Sequence, residues 1–157
     1  MTPAVAQAKK AKIPFTLHEY DHDPTVRAFG MEAAERLGVD PEQLFKTLVV
    51  DTCGSNLAVA VVPVAVQLNL KALAKVLGVK KTAMADKQLV EKTTGFLTGG
   101  VSPLGQKKHL KTIIDISAQN FDQIYVSAGR RGLQMALSPL DLAATVRAEF
   151  GAISRQE

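Results

Sequence analysis

The sequence predicts an α+β fold in which short strands and helices form a single domain over residues 1–157. Residues 46–52 and 57–64 are rich in Val, Leu and Ala, as paired strands are, while leucines recur at helical spacing in residues 69–78. A hydrophobic content of 46% and a charged content of 22% are typical of a globular chain, and 157 residues are enough for one sizeable core.

The first two elements follow from a capping pair and an alternating segment. Thr2 as N-cap and Pro3 as first helical residue predict a helix that reaches residue 11. Residues 15–20 alternate, with Phe15 on one face and Tyr20 on the other, which predicts a strand.

The middle of the chain is predicted to hold a hairpin between helices. A glycine-containing turn at residues 53–56 separates its two strands. The predicted elements here are, in order, a helix at 31–37 ending at Gly38, a short turn at Asp40 and Pro41, strands at 46–52 and 57–64, a helix at 69–78 and a shorter helix after Asp86.

Three strands and a helix are predicted for the last third of the chain. The strands cover residues 113–116, 124–127 and 133–137. Ser138 and Pro139 begin a helix that is expected to run to Gly151, with an apolar stripe of Leu142, Val146 and Phe150.

Charge and cysteine content limit the class of protein. The net charge of +4 favours anionic partners only weakly, so the placement of the charges matters more than their sum. A single cysteine, Cys53, excludes an internal disulfide and fits a reducing compartment. The N-terminus lacks a signal-peptide pattern, and the longest apolar run, residues 57–66, is too short to span a bilayer, so we expect a cytoplasmic protein with no membrane partner.

The familiar catalytic motifs are missing. The sequence contains no HExxH, no paired CxxC, no GxSxG and no GxxxxGK[ST], so zinc hydrolysis, serine-hydrolase chemistry and P-loop nucleotide hydrolysis lack support. The histidines are not spaced as a metal site, and Cys53 is expected to be an ordinary turn residue without an activating base. No metal or organic cofactor is predicted.

The glycine-rich segment at residues 93–108 is the most informative local feature. Glycine allows positive φ angles and lets a ligand approach main-chain N–H groups, which favour negative or carbonyl oxygens. Lys107 and Lys108 follow directly. The segment is either a binding loop for an anionic group or an ordinary connection.

Two side chains at strand ends leave similar alternatives open. Lys46 shares a face with Leu48 and Val50, so its ammonium group either extends to solvent at the strand end or pairs with an anionic ligand. Tyr20 either packs its ring or offers its hydroxyl to a ligand.

Basic residues form clusters beside the expected loops. Their distribution, with Arg130 and Arg131 inside a second glycine-containing loop, suits a phosphate backbone that enters a pocket. An aromatic content of 5% argues against an extended base-stacking platform. The other clusters are Lys9, Lys10 and Lys12; Lys80 and Lys81; and Lys107, Lys108, His109 and Lys111.

Several segments together resemble the YbaK proteins, stand-alone aminoacyl-tRNA deacylases similar to the editing domain of bacterial prolyl-tRNA synthetase. The resemblance covers essentially the whole chain and keeps its motifs in order. The segments are residues 2–5, 22–24, 45–48, 57–61, 99–108, 124–127 and 131–133.

The resemblance implies a fold and an activity. The fold is a distorted, mixed β-barrel-like sheet surrounded by helices. The activity is deacylation of Cys-tRNA(Pro), with Cys-tRNA(Cys) as a second candidate substrate, and the substrate thiol attacks the ester to release a thiolactone. Orientation and oxyanion stabilisation would then suffice without a protein nucleophile.

The resemblance also implies roles for individual residues. The invariant pocket lysine of the family corresponds to Lys46, which we expect to contact the terminal phosphate or ribose of the tRNA, and main-chain N–H groups of Gly99 and Gly100 are expected to contact the carbonyl oxygen. The expected substrate-binding residues are Tyr20, Phe29, Thr47, Ser102, Pro103, Ser127, Gly129 and Gln134.

One position departs from the family pattern and leaves the specificity open. Related proteins carry an aspartate where this chain has Gln134, which forms hydrogen bonds but cannot accept a proton. The alternatives are a deacylase for another small amino acid, such as alanine or serine, and a non-catalytic regulator that binds tRNA or a synthetase. The resemblance implies tRNA and prolyl-tRNA synthetase as partners, and the absence of a heptad pattern predicts a monomer.

Overall fold

The computed structural model describes residues 1–54 and 56–155, and within them it shows five α-helices, ten strands and one 3₁₀-helix, Ile116–Asn120. The helices are α1 (Pro3–Lys10), α2 (Phe29–Leu37), α3 (Leu70–Leu77), α4 (Lys87–Thr94) and α5 (Pro139–Val146). The strands are β1 (Phe15–Glu19), β2 (Phe45–Asp51), β3 (Leu57–Pro63), β4 (Gln67–Leu68), β5 (Ala83–Met84), β6 (Lys111–Asp115), β7 (Ile124–Arg130), β8 (Leu133–Leu137), β9 (Glu149–Gly151) and β10 (Ser154–Arg155).

Side-chain caps determine where four of the helices begin. Thr2, Asn69, Asp86 and Ser138 each accept a hydrogen bond from the main-chain N–H three residues later, at the starts of α1, α3, α4 and α5. Helix α2 differs because its N-cap, Ala28, has no side-chain acceptor. The first N–H groups of α2 therefore receive no partner from a cap.

A five-stranded mixed sheet is built on the predicted hairpin. Its order is β5-β2-β3-β6-β9; β2 pairs antiparallel with β3 and β5, whereas β3 with β6 and β6 with β9 are parallel. Strand β3 is buried along nearly its whole length, which explains its continuous apolar run. Its two faces contact different apolar clusters, one containing Val59 and Val61 and the other Ala58, Ala60 and Val62.

A second, antiparallel sheet of order β1-β8-β7 meets the first near Leu44. Leu44 forms a parallel bridge with Tyr125, and the Tyr125 N–H donates to Gln43 O at 3.1 Å. The two sheets enclose a core that includes Ile114, Val126 and Met135, while β4 and β10 pair separately. The predicted distorted, barrel-like α+β architecture is confirmed, and the described strands do not form a closed barrel.

The final helix is shorter than predicted. Arg147 adopts a left-handed conformation with φ 55°, which ends α5 after Val146. Phe150 therefore does not extend the helical stripe; it lies in β9, paired in parallel with Ile114 of β6. The prediction of a helix to Gly151 was wrong because the apolar spacing of Phe150 fits a buried strand equally well.

The other predicted elements are confirmed with small shifts in their ends. Helix α2 begins at Phe29 instead of residue 31. The strands β4, β5, β9 and β10, of two or three residues each, were not predicted. Ser55 of the predicted turn at 53–56 lies outside the described residues.

Two further features bear on the class of protein. None of the helices in the described ranges has both the length and the apolar character needed to span a bilayer. Over residues 1–54 and 56–155, no group of three or more His, Cys, Asp and Glu side chains is arranged to hold a metal ion.

Candidate active site

A cavity of about 510 Å³ opens between β2, the start of α2, the start of α4 and the glycine-rich loop. This volume is in the range of roughly 300–1,000 Å³ that small-molecule sites occupy. Six of the predicted site residues line it: Phe29, Lys46, Thr47, Gly99, Ser127 and Gln134.

Strand β2 contributes the cationic wall. Lys46 and Thr47 are its second and third residues, at the end away from the hairpin turn, opposite Val62 and Val61 of β3. Lys87, the first residue of α4, also lines the cavity, and no acidic residue is found among the described lining residues. A lining of this composition favours a neutral or anionic ligand over a cationic one.

Strand β8 contributes Gln134, which is only 6% exposed. It is the direct cross-strand neighbour of His18 in β1 and of Ser127 in β7, so the three side chains share one face of the antiparallel sheet. Within the described chain, Gln134 Oε1 has no hydrogen-bond partner, and neither has the buried Thr47 Oγ1 across the cavity. Buried oxygens without partners are costly, so both positions are suited to ligand donors.

Tyr20 does not line the cavity, but its hydroxyl is hydrogen-bonded to the side chain of Gln134, which does. Burial raises the pKa of the Tyr20 hydroxyl above its ordinary value of 10.0, and hydrogen bonds from the Gly132 main chain and the Gln134 side chain offset only part of the increase. The phenol is therefore protonated at neutral pH and can donate a hydrogen bond.

The first turn of α2 forms the opposite side of the cavity. Ala28, Phe29, Gly30 and Met31 all line it, which places the uncapped N-terminal N–H groups of the helix at the site. A β-carbon on Gly30 would lie 2.4 Å from Val64 Cγ1, so this turn fits closely against its neighbour. Uncapped N–H groups at a helix start favour negative charge.

The Phe29 ring is held between two groups from distant parts of the chain. The Arg131 guanidinium lies 4.5 Å from the ring centroid. Gly99 faces the ring, and a β-carbon there would lie 3.5 Å from three ring atoms. Phe29 therefore joins α2 to the glycine-rich loop at the cavity.

Arg131 belongs to an ion pair inside the protein, although its sequence context suggested a phosphate contact. Its Nη2 lies 2.9 Å from Glu32 Oε1 and also donates to the carbonyl oxygens of Asp23 and Val26. Burial alone would raise the pKa of Glu32, but the Asp23 N–H and the Arg131 guanidinium outweigh it and hold the pKa below its ordinary value of 4.5. Arg131 thus positions α2 instead of facing solvent.

The glycine-rich loop is fixed at both sides of Gly99. Glu91 Oε2 accepts the Thr98 N–H at 2.8 Å, which ties the loop to α4. The Gly100 N–H donates to Leu97 O at 3.0 Å, so it is already engaged and does not match its predicted role toward a substrate carbonyl. Gly99 has φ 92° and lies on the cavity wall, and its role toward the carbonyl oxygen stays a prediction.

Ser102, Pro103 and Gly129 lie behind the cavity wall. Ser102 is fully buried, and its hydroxyl accepts the Leu104 N–H at 3.2 Å. Gly129 forms a bulge in β7 with φ 107°, where a β-carbon would lie 2.9 Å from Thr2 Cβ. These three residues therefore do not line the cavity.

Sequence reasoning missed several residues of the site. The cavity lining also includes Met31, Met84 and Lys87. Glu32 pairs with Arg131 and so helps to hold α2 beside the cavity. Only Lys87 had a signal in the sequence, since it follows the predicted helix cap Asp86. The Arg131–Glu32 pair joins residues 99 positions apart, which no local pattern reveals.

Comparisons with known proteins identify the family of this chain. The family model of the aminoacyl-tRNA editing domain matches residues 23–145. A relative from Enterococcus faecalis, named EbsC and described as a candidate Cys-tRNA(Pro)/Cys-tRNA(Cys) deacylase, is 36% identical over 160 residues, which cover 99% of this chain and 94% of the relative.

Two solved structures share the fold. A hypothetical protein superposes with a TM-score of 0.87 at 23% identity, over 98% of this chain and 99% of that one. A candidate trans-editing enzyme for prolyl-tRNA synthetase superposes with a TM-score of 0.81 at 20% identity, over 99% of each chain. With the family match over most of its length, the chain belongs to the aminoacyl-tRNA editing domain family.

Proposed function

We propose that this chain is a trans-editing deacylase that removes cysteine from Cys-tRNA(Pro). The observation that carries the proposal is the cavity lined by two lysines, a helix start without a side-chain cap and two buried oxygens that have no partner among the described residues. Its volume of about 510 Å³ suits an amino acid with its terminal nucleoside. The specific substrate comes from the relative at 36% identity, whose description names that ester.

The chemistry needs no nucleophile from the protein. The substrate thiolate attacks the ester carbonyl carbon, the bond from that carbon to the ribose oxygen breaks, and the ribose oxygen takes up a proton. The products are tRNA with a free terminal hydroxyl and a cysteine thiolactone, which water opens later. Lys46 and Lys87 in the lining favour the thiolate, since nearby ammonium groups lower the pKa of a thiol.

The protein's part is to orient the ester and stabilise charge. Lys46 contacts the terminal phosphate or ribose, and the Gly99 N–H, with the first N–H groups of α2, faces the carbonyl oxygen where negative charge develops. The Thr47 and Gln134 oxygens accept hydrogen bonds from the amino acid. Phe29 and Ser127 form the walls, with Tyr20 acting through Gln134.

The proposal extends to the setting of the reaction. The chain acts as a single-domain monomer in the cytoplasm, without a cofactor, on tRNA delivered together with prolyl-tRNA synthetase. The editing-domain family and the description of the fold relative as a prolyl-tRNA synthetase trans-editor support this setting.

A panel of charged tRNAs tests the proposed function. Cys-tRNA(Pro), Ala-tRNA(Pro) and Ser-tRNA(Pro) are incubated with the wild-type chain, and the remaining ester is measured over time. Rapid loss of the cysteinyl ester alone is the expected result. Loss of the alanyl or seryl ester instead would show a deacylase of other specificity, and tRNA binding without cleavage of any ester would leave a non-catalytic regulator.

A further inference from the structure

A second groove, lined by four lysines, lies beside helix α3. It has a volume of about 640 Å³, and Lys71, Lys75, Lys80 and Lys81 line it without any acidic residue. All four lysines are exposed. In the part of the chain that the structure describes, the ion pairs involve other residues.

The fold places these four positive charges close together, where they repel one another. Lys71 and Lys75 are four residues apart on α3, a spacing at which like charges repel and destabilise a helix. Gly78 then adopts a left-handed conformation with φ 74°, which turns the chain so that Lys80 and Lys81 return to the same groove. An anion bound there would relieve the repulsion.

The groove and the active-site cavity lie close together at residues 82–84. Thr82 lines the groove, and Met84, two residues later in the short strand β5, lines the cavity. Two extended residues span at most about 7 Å. Leu70 of the groove and Leu48 of the cavity also pack against the same apolar cluster.

The acidic residues that flank β5 are engaged elsewhere. Asp51, opposite Ala83 in the sheet, accepts the Cys53 N–H at 2.7 Å. Asp86 caps α4 by accepting the Leu89 N–H. Neither carboxylate lines the groove, so all the charged side chains among its described lining residues are lysines.

We propose that the groove binds the sugar-phosphate backbone of the acylated tRNA strand, just before the terminal nucleoside enters the cavity. The inference rests on the proposed function, because a strand whose end occupies the cavity must leave it along the adjacent surface. That continuity favours RNA over an acidic protein surface, which would not need to meet the cavity. The contacts are electrostatic and independent of base sequence.

Charge reversal and a shortened substrate test the groove. Lys71→Glu/Lys75→Glu and Lys80→Glu/Lys81→Glu are compared with wild type on Cys-tRNA(Pro) and on cysteinyl adenosine, which lacks the phosphate backbone. We expect kcat/KM for the tRNA to fall by about tenfold or more while cleavage of cysteinyl adenosine is retained. Lys9→Glu/Lys10→Glu on α1 is the control with the same change in net charge.

The binding of uncharged tRNA(Pro) at several salt concentrations keeps the inference testable if the chain cleaves no ester. The groove variants should bind more weakly, with a salt slope reduced by about 1 for each lysine that contacts a phosphate. Equal losses in the α1 control, or unchanged tRNA binding and cleavage, would overturn the proposal. Unchanged tRNA binding with weaker binding to prolyl-tRNA synthetase would assign the groove to a protein partner instead. If the wild-type chain cleaved neither Cys-tRNA(Pro) nor cysteinyl adenosine, the proposed function would be contradicted, and the tRNA-binding measurement would still test the groove.

Discussion

Gly100 lies so close to Arg130 that a β-carbon on the glycine would stand 2.6 Å from Arg130 Cα. The neighbouring atoms at 2.8 Å are the Arg130 carbonyl carbon and the Arg131 nitrogen, so the contact is entirely with main chain and cannot be relieved by a rotamer change. The glycine-rich loop is thereby held against the β7–β8 turn. This contact positions Gly99, the next residue back, at the cavity wall.

Gly100→Ala is therefore expected to reduce both stability and activity. Overpacking of this kind typically costs about 1–3 kcal/mol of unfolding free energy. Urea unfolding and the deacylation rate on Cys-tRNA(Pro) measure the two effects. Gly54→Ala is the control, because its β-carbon would meet only Thr52 Oγ1 at 3.9 Å. An unfolding midpoint equal to that of wild type would contradict the close contact.

Replacement of Lys46 tests the cationic wall. Lys46→Met keeps most of the apolar stem but removes the ammonium group, and we expect deacylation to fall by about 100-fold, as for other losses of a single electrostatic contact in a site. Single-turnover rates with excess enzyme provide the measurement. Lys10→Met, at an exposed position of α1, should retain the wild-type rate. Normal deacylation by Lys46→Met would remove Lys46 from the mechanism.

Gln134 is expected to matter more for activity than for stability. Gln134→Met removes a buried oxygen that has no partner in the described chain, but it also removes the amide that hydrogen-bonds Tyr20, so the two effects offset and unfolding free energy should change by less than about 1 kcal/mol. Catalytic efficiency should fall by about tenfold, because a substrate hydrogen bond worth roughly 1–1.5 kcal/mol is lost. Thermal unfolding and kcat/KM are compared with exposed Gln119→Met as control. A variant that is both less stable and fully active would show a purely structural glutamine.

The Glu32–Arg131 pair predicts a loss of stability in acid. Since the folded-state pKa of Glu32 is lowered, its stabilising contribution is complete above the ordinary value of 4.5 and is lost as pH falls through the folded-state pKa. Glu32→Gln should cost about 3–5 kcal/mol at pH 7, because it leaves a buried guanidinium without its anion. The variant's urea midpoint should also vary less with pH below 4.5.

A matched pair on the surface serves as the comparison. Glu19 pairs with Arg130 at 3.3 Å, but its side chain is 74% exposed. Glu19→Gln should therefore change stability by only about 0–1 kcal/mol. If both variants showed the same small change and the same acid slope, the buried pair would not be what holds α2 at the cavity.

The sequence predicted the elements whose signals are local. Neighbouring residues were enough to predict the β2–β3 hairpin, the capped helix starts at Thr2 and Ser138, and the end of α3 at Gly78. Phe150 was misassigned because its partner, Ile114 in β6, lies far away in the chain. Strands of two residues, such as β5, exist only through pairing with β2 and carry no periodicity of their own.

In the candidate site too, the sequence predicted the features with local signals and missed those that depend on distant contacts. Lys46 stood out because a cation begins an otherwise apolar strand, and the glycine-rich loop stood out by composition. Sequence patterns could not separate Arg131, which is tied to Glu32 inside the protein, from solvent-facing basic residues. Nor could they show that Gly100 packs against main chain while Gly99 faces the cavity.

Attack by the substrate thiol is tested most directly by one matched pair of substrates, Cys-tRNA(Pro) and Ser-tRNA(Pro), which have sulfur and oxygen, respectively, in the side chain. With the wild-type chain in excess, we expect fast cleavage of the cysteinyl ester with cysteine thiolactone as the first product, and a seryl ester as stable as in buffer. Equal cleavage of both esters, or free cysteine as the first product with no thiolactone, would contradict it.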